Sequence, residues 1–118
     1  MAAINISLLS ELYVYNDDCT IKVRIIRLWR QPAYKNPTAT LFYGMVFLDE
    51  QGNKMQATVV EKWYKRFAKL LVEKDCLIIK SLSIVQDSPK YKYLDNPLKG
   101  TFTSKTIVTQ FLHMAIYM

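Results

Sequence analysis

Four consecutive residues, Lys90-Tyr91-Lys92-Tyr93, alternate a cation with an aromatic ring. In an extended segment that spacing sends the two rings to one side and the two ammonium groups to the other. Such a surface suits a single-stranded nucleic acid, whose bases stack on flat side chains while cations follow its phosphates. The plainer reading of the same residues is a polar loop with two surface tyrosines. Other chemistry finds little footing. Cys19 and Cys76 lie far apart, His113 is the sole histidine, and no CxxC or HxxxH spacing occurs, so neither a metal site nor another cofactor is expected. There is no glycine-rich phosphate loop and no GxSxG. Asp49-Glu50 is the one obvious acidic pair, but in Asp49-Glu50-Gln51-Gly52-Asn53 it reads as turn chemistry. No catalytic constellation emerges, and the chain is not expected to be an enzyme.

The charge points the same way. The 118 residues carry 16 Lys+Arg against 10 Asp+Glu, a formal +6. Residues 1–18 hold Glu11, Asp17 and Asp18 and no Lys or Arg, which concentrates +9 on the rest. A polyanion, or an anionic membrane, is the natural partner of such a domain, although lysines also simply keep a surface soluble. No apolar run reaches the roughly 18–20 residues of a membrane helix. The N-terminus lacks the basic start and apolar stretch of a signal peptide. A soluble intracellular domain is expected, with its cysteines as buried thiols rather than a disulfide.

These residues need a frame to hold them. Ile4–Tyr15 has Ile4, Leu8, Leu9 and Leu12 at helical spacing and predicts a short N-terminal helix. Thr20–Trp29 alternates as a strand, with Ile21, Val23 and Ile25 on one side. Its phase shifts at Ile25-Ile26, as a strongly bent barrel strand requires. Arg30–Thr38, with two prolines, reads as a loop. Thr40–Glu50 is a second strand with Gly44 as a candidate bulge, and Lys54–Val60 returns from the Gly52 hairpin as a third. Glu61–Val72 changes period: Val60, Trp63, Tyr64, Phe67, Leu70 and Leu71 form one apolar stripe and predict a helix. Cys76–Val85 and Thr101–Leu112 are the fourth and fifth strands, separated by the loop Gln86–Gly100. Three strands, a helix and two strands match the five-stranded OB-fold Greek-key barrel, a mostly β architecture with one helix between strands three and four. An SH3-like or other small barrel is the alternative. The expected organisation is one OB-fold domain over residues 1–118, with an N-terminal helical extension over 1–18 and the barrel over 19–112.

The succession IKVRIIRLW, MVFLDEQGNKMQATV, WYKRFAKLLVEKDC, KSLSIV, YKYL and TFTSKTIV resembles the first single-strand-binding OB domain of the replication protein A large subunit, in its plant branch. The resemblance spans Thr20–Phe111. Its most specific pieces are Arg24 to Trp29, the hairpin Leu48–Lys54 and Phe102–Thr106. It implies a nuclear protein of DNA replication or repair that holds single-stranded DNA across strands two and three. Two loops would flank that DNA, one joining strands one and two, the other joining strands four and five. It further implies two base-stacking aromatics, one at Phe42 or Tyr43 and one at Tyr91 or Tyr93, and groove arginines at Arg24 and Arg27. Arg30 and Lys35 would continue that wall, with Lys90 and Lys92 opposite. The loop Arg30–Thr38 departs from the Gly/Ser-rich form of the animal proteins. Trp29, at a strand end, is read as packing.

A second function remains open on sequence alone. An OB barrel can bind a partner subunit or an acidic peptide through the same groove, or oligomerise. The acidic segment Ile4–Asp18 could then lie in a basic groove, its own or a neighbour's. The two readings differ in what the surface must show. A shared groove for Arg24, Arg27, Tyr91 and Phe42/Tyr43 favours nucleic acid, with RNA open beside DNA. An exposed apolar patch at Leu8, Leu9 and Leu12 favours a protein partner.

Overall fold

The computed structural model describes residues 5–87, 94 and 96–111 of the chain. Seven strand segments carry the fold: β1 (Thr20–Pro32), β2 (Thr40–Leu48), β3 (Lys54–Val59), β4 (Cys76–Lys80), β5 (Ser83–Gln86), β6 (Leu98–Thr101) and β7 (Ile107–Phe111). One helix, α1 (Glu61–Phe67), lies between β3 and β4. The sheet order is β5-β6-β3-β2-β1-β4-β7. Its two ends meet because β4 pairs with β7 and β5 with β6, all antiparallel. β4–β5 and β6–β7 are therefore two bent strands, and the seven segments make the five strands of the expected barrel.

Each of the last two predicted strands is broken once. Ser81 adopts φ 63 and turns the chain between β4 and β5. Thr103 and Thr106 form the matching break between β6 and β7, where Thr106 Oγ1 accepts from Thr103 N at 2.9 Å and donates to Ser81 O at 3.0 Å. A buried hydroxyl thus ties the two bends together. Strand patterning alone carries no trace of such breaks, since Leu82 and Phe102 remain core residues on either side.

The phase shift in β1 is a bulge. Ile25 pairs with Phe47 and Arg27 with Val46, leaving Ile26 as the extra residue. Beyond the last β4 pair, Arg24↔Cys76, the freed backbone groups of β1 find partners after the helix. Ile25 N donates to Asp75 O at 3.0 Å, Lys74 N to Ile25 O at 2.6 Å, and Leu28 N to Glu73 Oε1 at 2.8 Å. The helix ends at Phe67, short of the expected Val72, where Leu70 N turns to Phe67 O at 2.8 Å and Val72 N to Leu70 O at 3.0 Å in place of helical partners. Gly52 supplies φ 84 in the β2–β3 hairpin as expected.

The N-terminal helical segment is a single 3₁₀ turn, Leu9–Glu11. Its neighbours are extended because the barrel offers their backbone better partners. Ser7 N donates to Thr20 O at 2.8 Å, Leu9 N to Asp49 Oδ2 at 2.8 Å, and Tyr15 N to Ile84 O at 2.9 Å. Leu9 and Leu12 sit in the core with Ile21, Val23, Ile25, Phe47, Met55 and Leu71. The segment is a strap belonging to the barrel. Its leucines do not form an exposed patch.

Candidate nucleic-acid interface

Strand register decides which side chains share the outer face of the barrel. Across β1 and β2, Arg24 pairs with Leu48, Arg27 with Val46, Trp29 with Gly44 and Gln31 with Phe42. Across β2 and β3, Leu48 pairs with Lys54, Val46 with Gln56 and Gly44 with Thr58. Gln56 and Thr58 then pair with Lys99 and Thr101 of β6. The alternate positions, Ile25, Leu28, Met45, Phe47, Met55, Ala57 and Val59, face or pack against the interior. One continuous outer surface therefore runs from Arg24, Arg27 and Trp29 over Phe42, Val46 and Leu48 to Gln56, Thr58 and Lys99.

The floor of this surface is unusual. Phe42, Val46 and Leu48 are all less than a tenth exposed, yet none belongs to the interior cluster. Gln56, a polar side chain, is 1% exposed on the same side. Trp29 lies flat over Gly44: a Cβ there would stand 2.3 Å from Trp29 Cζ2. Gly44 is therefore not a bulge, since β2 keeps register through it with both neighbours. Its missing side chain makes room for the ring. The Arg27 guanidinium rests 5.4 Å from the centroid of that ring. Arg24 is half-buried, and its Nε is buried with no acceptor among the described residues.

Register also separates Phe42 from Tyr43. Tyr43 packs against the core, where its ring stacks on Tyr64 of α1 with centroids 3.7 Å apart and planes 12° from parallel. Phe42 is the member of the pair on the same face as Arg24 and Arg27. Arg30, exposed at the end of β1, turns to its own loop, donating from Nε to Thr40 Oγ1 at 2.7 Å and from Nη2 to Pro37 O at 3.1 Å. Lys35 is exposed on that loop. Lys90, Tyr91, Lys92 and Tyr93 lie outside the described residues. The ends of their loop are placed by Asp87 N donating to Pro97 O at 2.9 Å and Asn96 Nδ2 donating to Lys54 O at 3.1 Å. The β1–β2 loop and this second loop thus stand at opposite ends of the β2–β3 face.

Trp29 packs, as read from the sequence, and does so over Gly44 on the outer side; Gln56, Thr58 and Lys99 were not singled out. The alternation of Lys54, Gln56 and Thr58 with Met55, Ala57 and Val59 was a readable signal for two of them. Acidic groups near the face are occupied elsewhere. Asp49 is buried, its carboxylate accepting from the backbone N–H groups of Leu9, Gln51 and Asn53 and from Asn53 Nδ2. Glu50 pairs with Lys22, the one ion pair among the described residues. Both cysteines are free and buried, and burial pushes the Cys19 thiol up from its ordinary pKa. No group of three potential metal ligands occurs among the described residues, and no helix among them is long and apolar enough to cross a membrane.

The family described as "Domain of unknown function DUF223" matches residues 10–115. No curated protein sequence matches the chain. Among solved structures, a replication protein A heterotrimer bound to ssDNA aligns over 92% of this chain and 25% of its own, with TM-score 0.75 and 19% identity. DNA binding domain A of S. cerevisiae replication protein A aligns over 93% of this chain and 96% of its own, with TM-score 0.66 and 17% identity. The OB domain of a Methanosarcina mazei protein aligns over 92% and 85%, with TM-score 0.60 and 9% identity. The chain spans about a quarter of the replication protein A chain that it matches. At these identities the likeness establishes the OB fold, in agreement with the resemblance read from the sequence.

Proposed function

We propose that this chain, which belongs to the DUF223 family, binds single-stranded DNA across the outer face of β2 and β3. The observation that carries the reading is the floor itself. Phe42, Val46 and Leu48 are buried apart from the core, and the Arg24–Arg27–Trp29 row borders them on one register. A row of arginines with a tryptophan along an outer face suits a single strand, whose phosphates take cations and whose unstacked bases take rings. Arg24 Nε, desolvated and without an acceptor among the described residues, suits a phosphate oxygen, because a buried unpaired donor costs about 1–3 kcal/mol. Phe42 and one of Tyr91 or Tyr93 would stack bases, while Arg27, Lys35, Lys90 and Lys92 would follow the backbone. The replication protein A likeness, seen there with ssDNA bound, favours DNA over RNA and a nuclear place in replication or repair. The domain acts in this reading as a binding module, not an enzyme. One barrel offers a short site, so a further OB subunit or a second copy would lengthen it.

The N-terminal strap counts against the peptide-groove alternative, since Leu9 and Leu12 are interior and Ser7 is bonded to β1. Fluorescence anisotropy of labelled oligo-dT, the matching duplex and the matching RNA, each at two salt concentrations, tests the proposal. Salt-sensitive binding that favours the single DNA strand is expected. Equal affinity for the duplex, or no binding at low salt, would overturn it and return the barrel to a protein-binding role.

A further inference from the structure

The β1–β2 loop carries a feature that the groove arginines do not explain. Tyr34 is 89% exposed, although a tyrosine ordinarily contributes much of its ring to packing. The loop beneath it is closed by its own bonds. Arg30 spans it through Thr40 Oγ1 and Pro37 O. Ala33 N donates to Ala39 O at 2.9 Å, Ala39 N to Asn36 O at 2.9 Å, and Thr38 Oγ1 to Asn36 Oδ1 at 2.7 Å. An arm this heavily tied, ending in a bare ring beside exposed Lys35, has already met the ordering cost that a flexible loop would meet on binding. It departs from the pair Pro32↔Thr40, next to Gln31↔Phe42, and so stands at the Phe42 end of the face.

We infer that the β1–β2 loop is a preformed stacking arm, in which Tyr34 takes one base beyond Phe42 and Arg30 is a positioning residue that holds the arm. The inference rests on the single-strand reading and names two residues of that site. Arg30 turns Nε and Nη2 to neutral acceptors of its own loop, so its guanidinium is held on the loop instead of being aimed at a phosphate. The strand's path then continues past the edge of the sheet, and the site is longer than the β2–β3 face alone.

The test uses the whole chain with oligo-dT of about 4 and about 12 nucleotides, the range one OB barrel spans. Tyr34→Ala is expected to weaken binding of the longer strand roughly tenfold, the scale of one lost stack, while leaving the shorter one nearly unaffected. Tyr34→Phe keeps the ring and is expected to bind like the unaltered protein. Arg30→Ala should lower affinity for the longer strand while the slope of log affinity against log salt stays constant. A direct phosphate contact would instead flatten that slope by about 0.7. Both positions are exposed, and unchanged thermal unfolding of the variants confirms that the fold is intact. Full affinity of Tyr34→Ala for the longer strand overturns the arm and leaves the single-strand reading standing. A flattened slope in Arg30→Ala overturns the positioning role. Failure of the unaltered chain to bind either strand defeats the single-strand reading, and the arm with it.

Discussion

Replacing Gly44 by alanine tests whether Trp29 belongs to the outer face. An added Cβ would lie 2.3, 2.5 and 2.9 Å from Cζ2, Cε2 and Cη2 of that ring. Carbon atoms rest at about 3.5–4.0 Å, so the indole must retreat by roughly 1 Å or swing away. Overpacking on this scale costs about 1–3 kcal/mol. With Trp29→Ala already in place the obstruction is gone. Alanine in a strand is then favoured over glycine by about 0.5–1 kcal/mol. The effect of one substitution therefore reverses sign with the background, and the coupling in the cycle comes to about 1.5–4 kcal/mol. Urea unfolding of the four proteins, followed by far-ultraviolet circular dichroism, measures it. Gly44→Ala should also weaken oligo-dT binding, since the displaced ring borders Phe42 and Arg27. Equal destabilisation by Gly44→Ala in both backgrounds would refute the placement of the indole over the glycine.

Further tests address other parts of the fold and face. Asp49→Ala removes a buried carboxylate that accepts four hydrogen bonds and should cost about 3 kcal/mol, with amide exchange at Leu9 accelerated; a loss below about 1 kcal/mol would show that the strap does not depend on it. Arg24→Ala should flatten the salt dependence of single-strand binding by about 0.7 without lowering the thermal midpoint, because the variant deletes a donor with no acceptor; an unchanged slope removes Arg24 from the phosphate path. Tyr91→Ala with Tyr93→Ala should weaken binding by about 2–4 kcal/mol and leave unfolding unaltered; undiminished affinity excludes that loop from the site. Burial raises the Cys19 thiol pKa above 9.0 in the folded chain, so the folded state holds that proton more tightly. The stability linked to this thiol is intact below pH 9 and is lost as pH rises through the folded value. Cys19→Ala should abolish that part of the alkaline slope, and an identical slope in the variant would show that the thiol is not its source.

The barrel was legible because its first three strands are rich in β-branched, aromatic and other apolar residues and are bounded by turn signals, and because its helix changes period at Glu61. The phase shift in β1 was legible too, since Ile25-Ile26 breaks the alternation; that it is a bulge at Ile26 shows only in the register. Legibility failed where tertiary partners overrule local pattern. Ser81 and Thr106 bend two strands through a hydroxyl linking segments 25 residues apart, and a window of ten residues cannot see that bond. After α1 the chain turns to meet β1, where Leu28 N donates to Glu73 Oε1, 45 residues away. At the site, Phe42 and Tyr43 could be separated only by register: Tyr64 claims Tyr43 from the helix, which leaves Phe42 for the outer face. Gly44 read as a bulge because a strand glycine signals either irregularity or close approach, and only Trp29 decides which. Arg30 looked like its neighbours Arg24 and Arg27 until Thr40 and Pro37 accounted for its guanidinium.

The bulge at Ile26 also explains why the cationic wall needs no stabilisation of its own. Arg24 and Arg27 are three residues apart, so an uninterrupted strand would put them on opposite faces. The extra residue brings Arg27 and Trp29 to the side of Arg24 while Ile25 and Leu28 stay with the core. A slip of one residue would bury the Arg27 guanidinium and expose Leu28. Burying an unpaired charge costs several kcal/mol, far more than a surface ion pair contributes. Past the end of the β4 ladder at Arg24, residues 73–75 take up backbone groups of Ile25 and Leu28, so the bulge is bonded from both sides. Register on this wall is thus enforced from the interior and from the chain following the helix. Neither Arg24 nor Arg27 requires a carboxylate to hold it in place, and among the described residues neither has one. The core of this barrel keeps its arginines aligned, and that leaves their charge for a ligand.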